Sequence, residues 1–208
     1  MSQLKNYDPA SPIQIVNGLV TTERSGMGKW GTQSQQGFFQ FCQWLMQATR
    51  GNSTAVEIGA YAGEATMMLS LCCTKVIAID PWVNGYDDDD KSSHAFPMEK
   101  VKESFQTRTK VATNITHYQT TSEKAVKKFE DRSIDVVYFD AIHKLGPTRD
   151  GLKLWLPKIK KDGYICGHDF CGYWGEVVDA VLEAVGVPDV VFKDGSWAKK
   201  AMFASSRE

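Results

Sequence analysis

Residues 134–143 read IDVVYFDAIH, and the fold turns on how they are taken. β-branched and aromatic residues dominate until the run stops at Asp140, and a histidine follows three places on. So nearly continuous an apolar run suits a strand covered on both faces, as in a parallel sheet. Its polar end has two readings. Asp140 either caps the next turn beside an exposed His143, or the two form a working pair.

Upstream, AVEIGA (55–60), VIAID (76–80) and ITHYQT (115–120) have the same character. Downstream come GYICGHDF (163–170), VVFKD (190–194) and WAKKAMFA (197–204). Helical patterns fill the gaps: GEATMMLSLCC (63–73), a stretch around Met98–Thr109, SEKAVKKFE (122–130), a stretch near Thr148–Ile159, and GEVVDAVLEAVG (175–186). Strands alternating with helices predict the α/β class, a Rossmann-like seven-stranded, mainly parallel sheet with helices on both faces. Gly195-Ser196 joins the last two strands too tightly for a crossover, so they form an antiparallel C-terminal hairpin.

Between residues 34 and 49, Phe38, Phe41, Trp44 and Leu45 recur at helical spacing and read as a core-facing stripe. Val177, Val178, Val181 and Val185 read the same way, and Trp155 and Leu156 as packing against the sheet. Residues 1–33 are rich in Pro, Gly, Ser and Thr without a sustained period, which suggests an irregular N-terminal arm. Residues 34–208 then make one domain.

The formal net charge of −1 gives no general attraction to nucleic acid or to an anionic membrane surface. No apolar run reaches the roughly 18 residues of a membrane span. MSQLKNYDPASP lacks a basic-then-apolar leader pattern, so the cytoplasm is the expected location. The five cysteines are odd in number, Cys72 and Cys73 are adjacent, and no CxxC occurs. Reduced, buried thiols fit this better than disulfides or a zinc site.

Ligands of such sheets sit beyond the carboxyl ends of the strands. Here the polar residues gather at those ends: Glu57 and Gly59, Asp80, Asp140, and His168-Asp169. One acid so placed is unremarkable; four strands ending this way point to one polar site. EIGAYAG places Gly59 and Gly63 between a strand and a helix, where backbone can approach a ligand closely. The spacing is G-x-x-x-G and not the G-x-G-x-x-G of dinucleotide binders. Asp80, ending the next strand about 20 residues on, is placed to accept ribose hydroxyls, or else to cap the turn before Pro81. His94 and His117 have no comparable context.

The order of these motifs resembles class I S-adenosylmethionine-dependent methyltransferases. It is closest to the branch with a D-x-x-H element and a later H-D element, which includes metal-dependent O-methyltransferases of sugars and macrolide-type products. VEIGAYAGEAT and VIAIDPW resemble the first two motifs, and IDVVYFDAIHKLGPTRDGLKLWLPKIKKDGYICGHDF the central block. The resemblance implies that Glu57, Gly59, Ala60 and Gly63 shape the methionine end of the cofactor pocket and that Asp80 holds the ribose. Trp82 and Ser122 would lie near the adenine, Ser122 having a helix N-cap as its other reading. Asp140, His168 and Asp169 fall on positions that bind a divalent metal, and His143 on the proposed general base.

His168 departs from the two acids common at that place. Mg²⁺ prefers oxygen ligands, so either imidazole moves the preference toward Mn²⁺, Fe²⁺ or Zn²⁺, or His168 binds no metal. Lys144-Leu145-Gly146 departs from the Ser-Tyr common after the histidine, which weakens inference about the acceptor. The expected activity is metal-assisted O-methylation of a hydroxylated small molecule, such as a sugar or glycosylated metabolite, with His143 as base. The alternatives are a nicotinamide-dependent Rossmann oxidoreductase and a non-catalytic cofactor-binding protein. DDDDK (87–91) reads as a solvated loop, or else as a lid. The aromatic N-terminal helix either packs on its own core or against a second subunit.

Overall fold

The computed structural model describes residues 32–201, with side chains from residue 36 onward. The expected arm lies outside the described residues except for its last two, which already belong to the first helix. Seven strands form one sheet: β1 (Thr54–Ile58), β2 (Lys75–Asp80), β3 (Ile115–Gln119), β4 (Ile134–Phe139), β5 (Ile159–Gly167), β6 (Val190–Val191) and β7 (Trp197–Lys200). Their spatial order is β3-β2-β1-β4-β5-β7-β6. The first five pair parallel, while β7 runs antiparallel to both β5 and β6. The direction of winding reverses between β1 and β4, which creates the crevice such sheets use.

The helices are α1 (Thr32–Ala48), α2 (Glu64–Cys72), α3 (Ser92–Ala95), α4 (Met98–Thr109), α5 (Ser122–Ala125), α6 (Leu145–Trp155) and α7 (Gly175–Val185). α1 and α2 cover one face: Phe38, Phe41, Leu45 and Leu69 are fully buried against Ala55, Val76 and Tyr138. α6 and α7 cover the other, where Leu152, Trp155, Val177 and Val181 pack on Val56, Val137 and Ile165. Burying large apolar side chains at about 1.5–3 kcal/mol each makes these two layers the main source of stability. The expected aromatic stripe of α1 is core, with Phe38 and Phe41 both within 5.4 Å of the Tyr138 ring.

Several boundaries differ from expectation. The helix expected to reach Ile159 ends at Trp155, and Pro157 sits in a 3₁₀ turn over Leu156–Lys158. Proline removes an N–H the helix would need, so β5 starts early, at Ile159. The helix expected over 122–130 is one turn followed by a 3₁₀ turn at Val126–Lys128. β6 is only two residues long because Phe192 and Ser196 close a turn through Gly195, whose φ is +88°. Residues 202–204 of the expected last strand lie outside the described residues.

Register then sets the stage. Ile58 lies opposite both Ile79 and Phe139, and Phe139 lies opposite Gly167. The next residues along, Gly59, Asp80, Asp140 and His168, therefore emerge at one level along one edge.

Candidate active site

Gly59 makes the crevice possible. Its φ is +89°, and a Cβ there would meet the Asp140 carbonyl oxygen at 1.7 Å. Only glycine permits that approach between the β1 and β4 ends. Gly63 starts α2 with φ +82°, and a Cβ there would press on Phe105 at 2.8 Å. Three of the described non-glycine residues with positive φ, Tyr61, Trp82 and Asp169, also stand on this edge. Such backbone conformations tend to gather where a site fixes its geometry.

Two cavities open on the edge and share Gly59, Tyr61, Tyr86, Asp140 and Ala141. The smaller, about 210 Å³, is mainly apolar, with Ile58, Ile79, Pro81, Val83 and Phe139 in its wall and Asp80 and Ser122 at its rim. The larger, about 490 Å³, is acidic and carries Glu57, Asp90, Asp140 and Asp169 together with His143, His168 and Trp174.

Asp80 lines the smaller cavity and accepts the Tyr61 and Trp82 backbone N–H groups at 2.9 and 2.6 Å. Burial pushes its carboxyl up, and these hydrogen bonds pull it back only in part. A carboxylate has about four acceptor sites, and the Ala60 backbone N–H also acts on this one, which leaves room for a ribose hydroxyl. Trp82, expected by the adenine, does not line the cavity. Its ring is buried on Phe105 at 5.1 Å, and its Nε1 donates to the Tyr61 carbonyl at 2.9 Å. It buttresses the 60–62 turn from behind. Ser122 does line the cavity, yet the N-cap of α5 is Thr121, and Ser122 Oγ accepts the Trp155 indole N–H at 2.8 Å.

Glu57 is buried and accepts the Thr66 hydroxyl. Burial pushes its carboxyl up to about 8, against the pull of that hydroxyl and with the help of the Asp140 and Asp80 charges. Ala60 lies beside it in the wall of the acidic cavity, whereas Gly63 acts through the turn and not as wall.

Asp140, His143 and Asp169 converge: one ligand-capable atom from each lies within 4.8 Å of the others. His143 Nε2 is 2.9 Å from Asp169 Oδ2, and its ring stacks on Trp174 at 4.1 Å. Burial alone would lower the His143 imidazole, but the Asp169 hydrogen bond and the surrounding carboxylates hold it above its ordinary value. His168 Nδ1 is 3.1 Å from Asp169, and its Nε2 is 3.6 Å from Asp194. Against its burial, Asp140, Asp169 and Asp194 raise it further. Asp140 rises to about 6 through burial, despite the nearby imidazoles, while those imidazoles hold Asp169 well below the carboxylate range.

The converging triad contains His143, while His168, expected as a ligand, stands 3.1 Å from Asp169 and 4.0 Å from Asp140. The base role expected for His143 also meets an obstacle, since Nε2 faces Asp169 and Nδ1 faces Asp87 at 3.4 Å. Both ring nitrogens are thus already turned toward carboxylates, Nε2 at hydrogen-bond distance and Nδ1 at a longer approach.

The acidic run 87–91 is not the solvated loop it was expected to be. Asp88 and Asp89 face solvent, but Asp87 and Asp90 are buried. Asp87 Oδ2 accepts the His143 backbone N–H at 2.8 Å, and Asp90 accepts the Tyr86 hydroxyl at 2.8 Å. Lys144 ties Asp89 and Glu176 together over the site. No periodicity marks Asp87 or Asp90, because their partner is 56 residues away for Asp87. Trp174 left a fainter signal, an aromatic pair between glycines in GYWG (172–175).

This strand order, with a cofactor-sized crevice at the β1/β4 switch and an acid ending β2, defines a class I methyltransferase architecture. The profile of a family described as "Methyltransferase domain" matches residues 56–170. That is more than half of the chain, and the chain belongs to this family of S-adenosylmethionine-dependent methyltransferases. A search of curated proteins finds no match. Among solved structures the chain is similar to a proposed O-methyltransferase from Klebsiella pneumoniae, at 15% identity over 96% of this chain and 94% of that one, TM-score 0.61. It is similar to cofactor-bound Rv0187 from MTB at 14% identity over 97% and 94%, TM-score 0.55. The tRNA (m1A58) methyltransferase TrmI from Aquifex aeolicus is 12% identical over 82% of this chain, which spans 58% of that one, TM-score 0.57. These likenesses are of fold. The family match sets aside the nicotinamide alternative. Among the described residues no helix is long and apolar enough to cross a membrane.

Proposed function

We propose that this chain transfers the methyl group of S-adenosylmethionine to a hydroxyl of a small molecule, such as a sugar or glycosylated metabolite, with a divalent cation assisting. The observation that carries the reading is the meeting of the two cavities at Asp140. The apolar one suits a nucleoside, with Asp80 at its rim for ribose hydroxyls. The acidic one has room for the methionine portion and an acceptor, and a cluster of ionisable groups lies beside the junction.

A neutral hydroxyl is a weak nucleophile, so the site has to favour its deprotonated form. With both His143 nitrogens turned toward carboxylates, direct proton removal by this residue is the less favoured route. The mixed nitrogen and oxygen donors of Asp140, His143 and Asp169 fit Mn²⁺ or a similar ion better than Mg²⁺. When bound, such an ion supplies Lewis acidity toward the acceptor hydroxyl. Asp140, placed in both cavity walls, sets the acceptor's oxygen beside the cofactor. Trp174 and Tyr86 narrow the acidic cavity and limit water.

The test measures transfer of label from methyl-labelled S-adenosylmethionine to a panel of hydroxylated small molecules, with EDTA or with Mn²⁺. Binding of S-adenosylhomocysteine without transfer to any member would favour a cofactor-binding protein without turnover. Transfer indifferent to EDTA would remove the cation.

A further inference from the structure

We propose that Tyr61 and Tyr86 form a neutral aromatic seat for the sulfonium of S-adenosylmethionine, selecting the charged methyl donor over its uncharged product. The inference rests on the methyl-transfer reading above and deepens it by naming residues that tell donor from product.

The cofactor's sulfur joins the ribose to the methionine chain. With the nucleoside in the apolar cavity and the methionine portion in the acidic one, that sulfur lies where the cavities meet. Gly59, Tyr61, Tyr86, Asp140 and Ala141 wall both. Gly59 and Ala141 bring no side-chain group that answers a positive charge. Asp140 does, but the His168 imidazole already stands 4.0 Å from it. What remains is two phenol rings. A cation over an aromatic face is attracted to it, more strongly where water is kept away.

The two rings come from different loops and are fastened to each other. The Tyr61 hydroxyl donates to the Ser92 carbonyl at 3.3 Å, and the Ser92 backbone N–H donates to Asp90 at 2.8 Å. The other oxygen of Asp90 accepts the Tyr86 hydroxyl at 2.8 Å. Tyr61 is also held at its backbone, by Asp80 and by the Trp82 indole. Both hydroxyl protons are thus committed, and the rings themselves are left for the junction. Burial and the Asp90 charge hold both phenols above their ordinary value, so neither becomes a phenolate and the attraction is one of ring and cation. Transfer breaks the bond between sulfur and methyl, its electron pair stays on sulfur, and the acceptor's proton passes to water. The cofactor is left as a neutral thioether. Holding the charge therefore steadies the ground state more than the transition state and does not speed the step. Its effect is to admit the charged donor and release the spent one.

The test measures calorimetric binding of S-adenosylmethionine and of S-adenosylhomocysteine to the full chain, without acceptor. Wild type binds the sulfonium more tightly than the thioether. Tyr86→Leu keeps an apolar side chain but loses the π face. Its affinity for S-adenosylmethionine falls about 5- to 30-fold, the scale of a desolvated cation over a ring, while S-adenosylhomocysteine changes by less than about threefold. Tyr86→Phe keeps the ring and loses only the bond to Asp90, so both affinities shift by the same factor. Asp80, Asp90 and Asp140 stay in every variant, so the difference reads the ring and not the carboxylates. If Tyr86→Leu does not fold, judged by circular dichroism, Tyr61→Leu is read with the same expectation. Equal weakening of the two ligands, or none, overturns the seat and leaves methyl transfer standing; so does a wild type that prefers the thioether. Failure to bind either ligand sinks the methyl-transfer reading itself.

Discussion

The apolar cavity beside Asp80 and the acidic cavity beside Asp169 grow from the same strand ends but are held in shape by different forces. The first is founded on strand ends, where sheet register brings Ile58, Ile79 and Phe139 side by side. The second depends on charge: Asp87, Asp90, Asp140 and Asp169 surround His143. In the first, shape precedes the ligand. In the second, the aspartates raise two imidazoles toward their charged form, the kind of charge a bound cation would also bring. Where burial dominates the site is formed by the fold, and where charge dominates it answers to its occupant.

Gly59 belongs to both cavities, and its replacement is the most severe way to break the comparison. Gly59→Ala drives a methyl into the Asp140 carbonyl at a backbone angle that disfavours any side chain. We expect a loss of about 4 kcal/mol or more in urea unfolding, or no folded protein. Gly63→Ala makes a control. Its new methyl meets the edge of the Phe105 ring, which can shift, so the loss should be nearer 1–2 kcal/mol. Equal losses would mean that the β1–β4 approach is not the sensitive point.

Glu57 tests the charged side next. Its carboxyl is held at about 8 in the folded chain, against an ordinary value of 4.5. Between those values the native state keeps a proton that the unfolded chain has released. The stabilisation is therefore fully present below about 4.5 and is lost as pH rises through about 8, on the order of a few kcal/mol in all. Glu57→Gln is neutral at every pH and still accepts from Thr66. Its melting temperature should match wild type near pH 5 and exceed it increasingly toward pH 9. Parallel melting curves across that range would show that the carboxylate ionises in place without strain.

These two residues also show what was legible in the sequence. A glycine after a strand and an acid inside one both stand out in AVEIGA, because strand-end chemistry is local. Asp80, Asp140 and Asp169 were found on the same ground. Asp87, Asp90 and Asp194 were not, since their burial depends on partners in other elements, and a run of four aspartates ordinarily belongs in water. Which way His168 faces was out of reach for a related reason. Sequence position brings it to the edge, but only the buried turn around Asp194 decides which way its ring faces. Trp82 erred in the opposite sense: φ of +46° turns it from the cavity toward Phe105.

For the apolar cavity, Asp80→Asn sharpens the contrast. One of its oxygens becomes an NH₂ facing a backbone N–H, Tyr61's or Trp82's, and an acceptor for ribose hydroxyls is lost. Calorimetric binding of S-adenosylhomocysteine should weaken about 10- to 100-fold, the loss of one or two hydrogen bonds to a charged group. Mn²⁺ binding should stay near wild type, because Asp80 is not in the converging cluster. A parallel loss of both would mean that the two cavities are one coupled unit.

Ser122→Ala should have the smallest effect, and it separates wall from scaffold. Ser122 borders the apolar cavity, but its oxygen accepts the indole N–H of the buried Trp155. Removing it leaves that donor without its partner, a loss of about 1–2 kcal/mol in unfolding free energy. With the oxygen tied to Trp155 and only its O–H left to donate, S-adenosylhomocysteine affinity should change by less than about threefold, under 0.7 kcal/mol. The opposite pattern, unchanged stability with affinity lost, would show that the serine turns to the cofactor when it binds. The apolar cavity would then also rearrange around its occupant, and the distinction between a preformed half and a responsive half would fail at that residue.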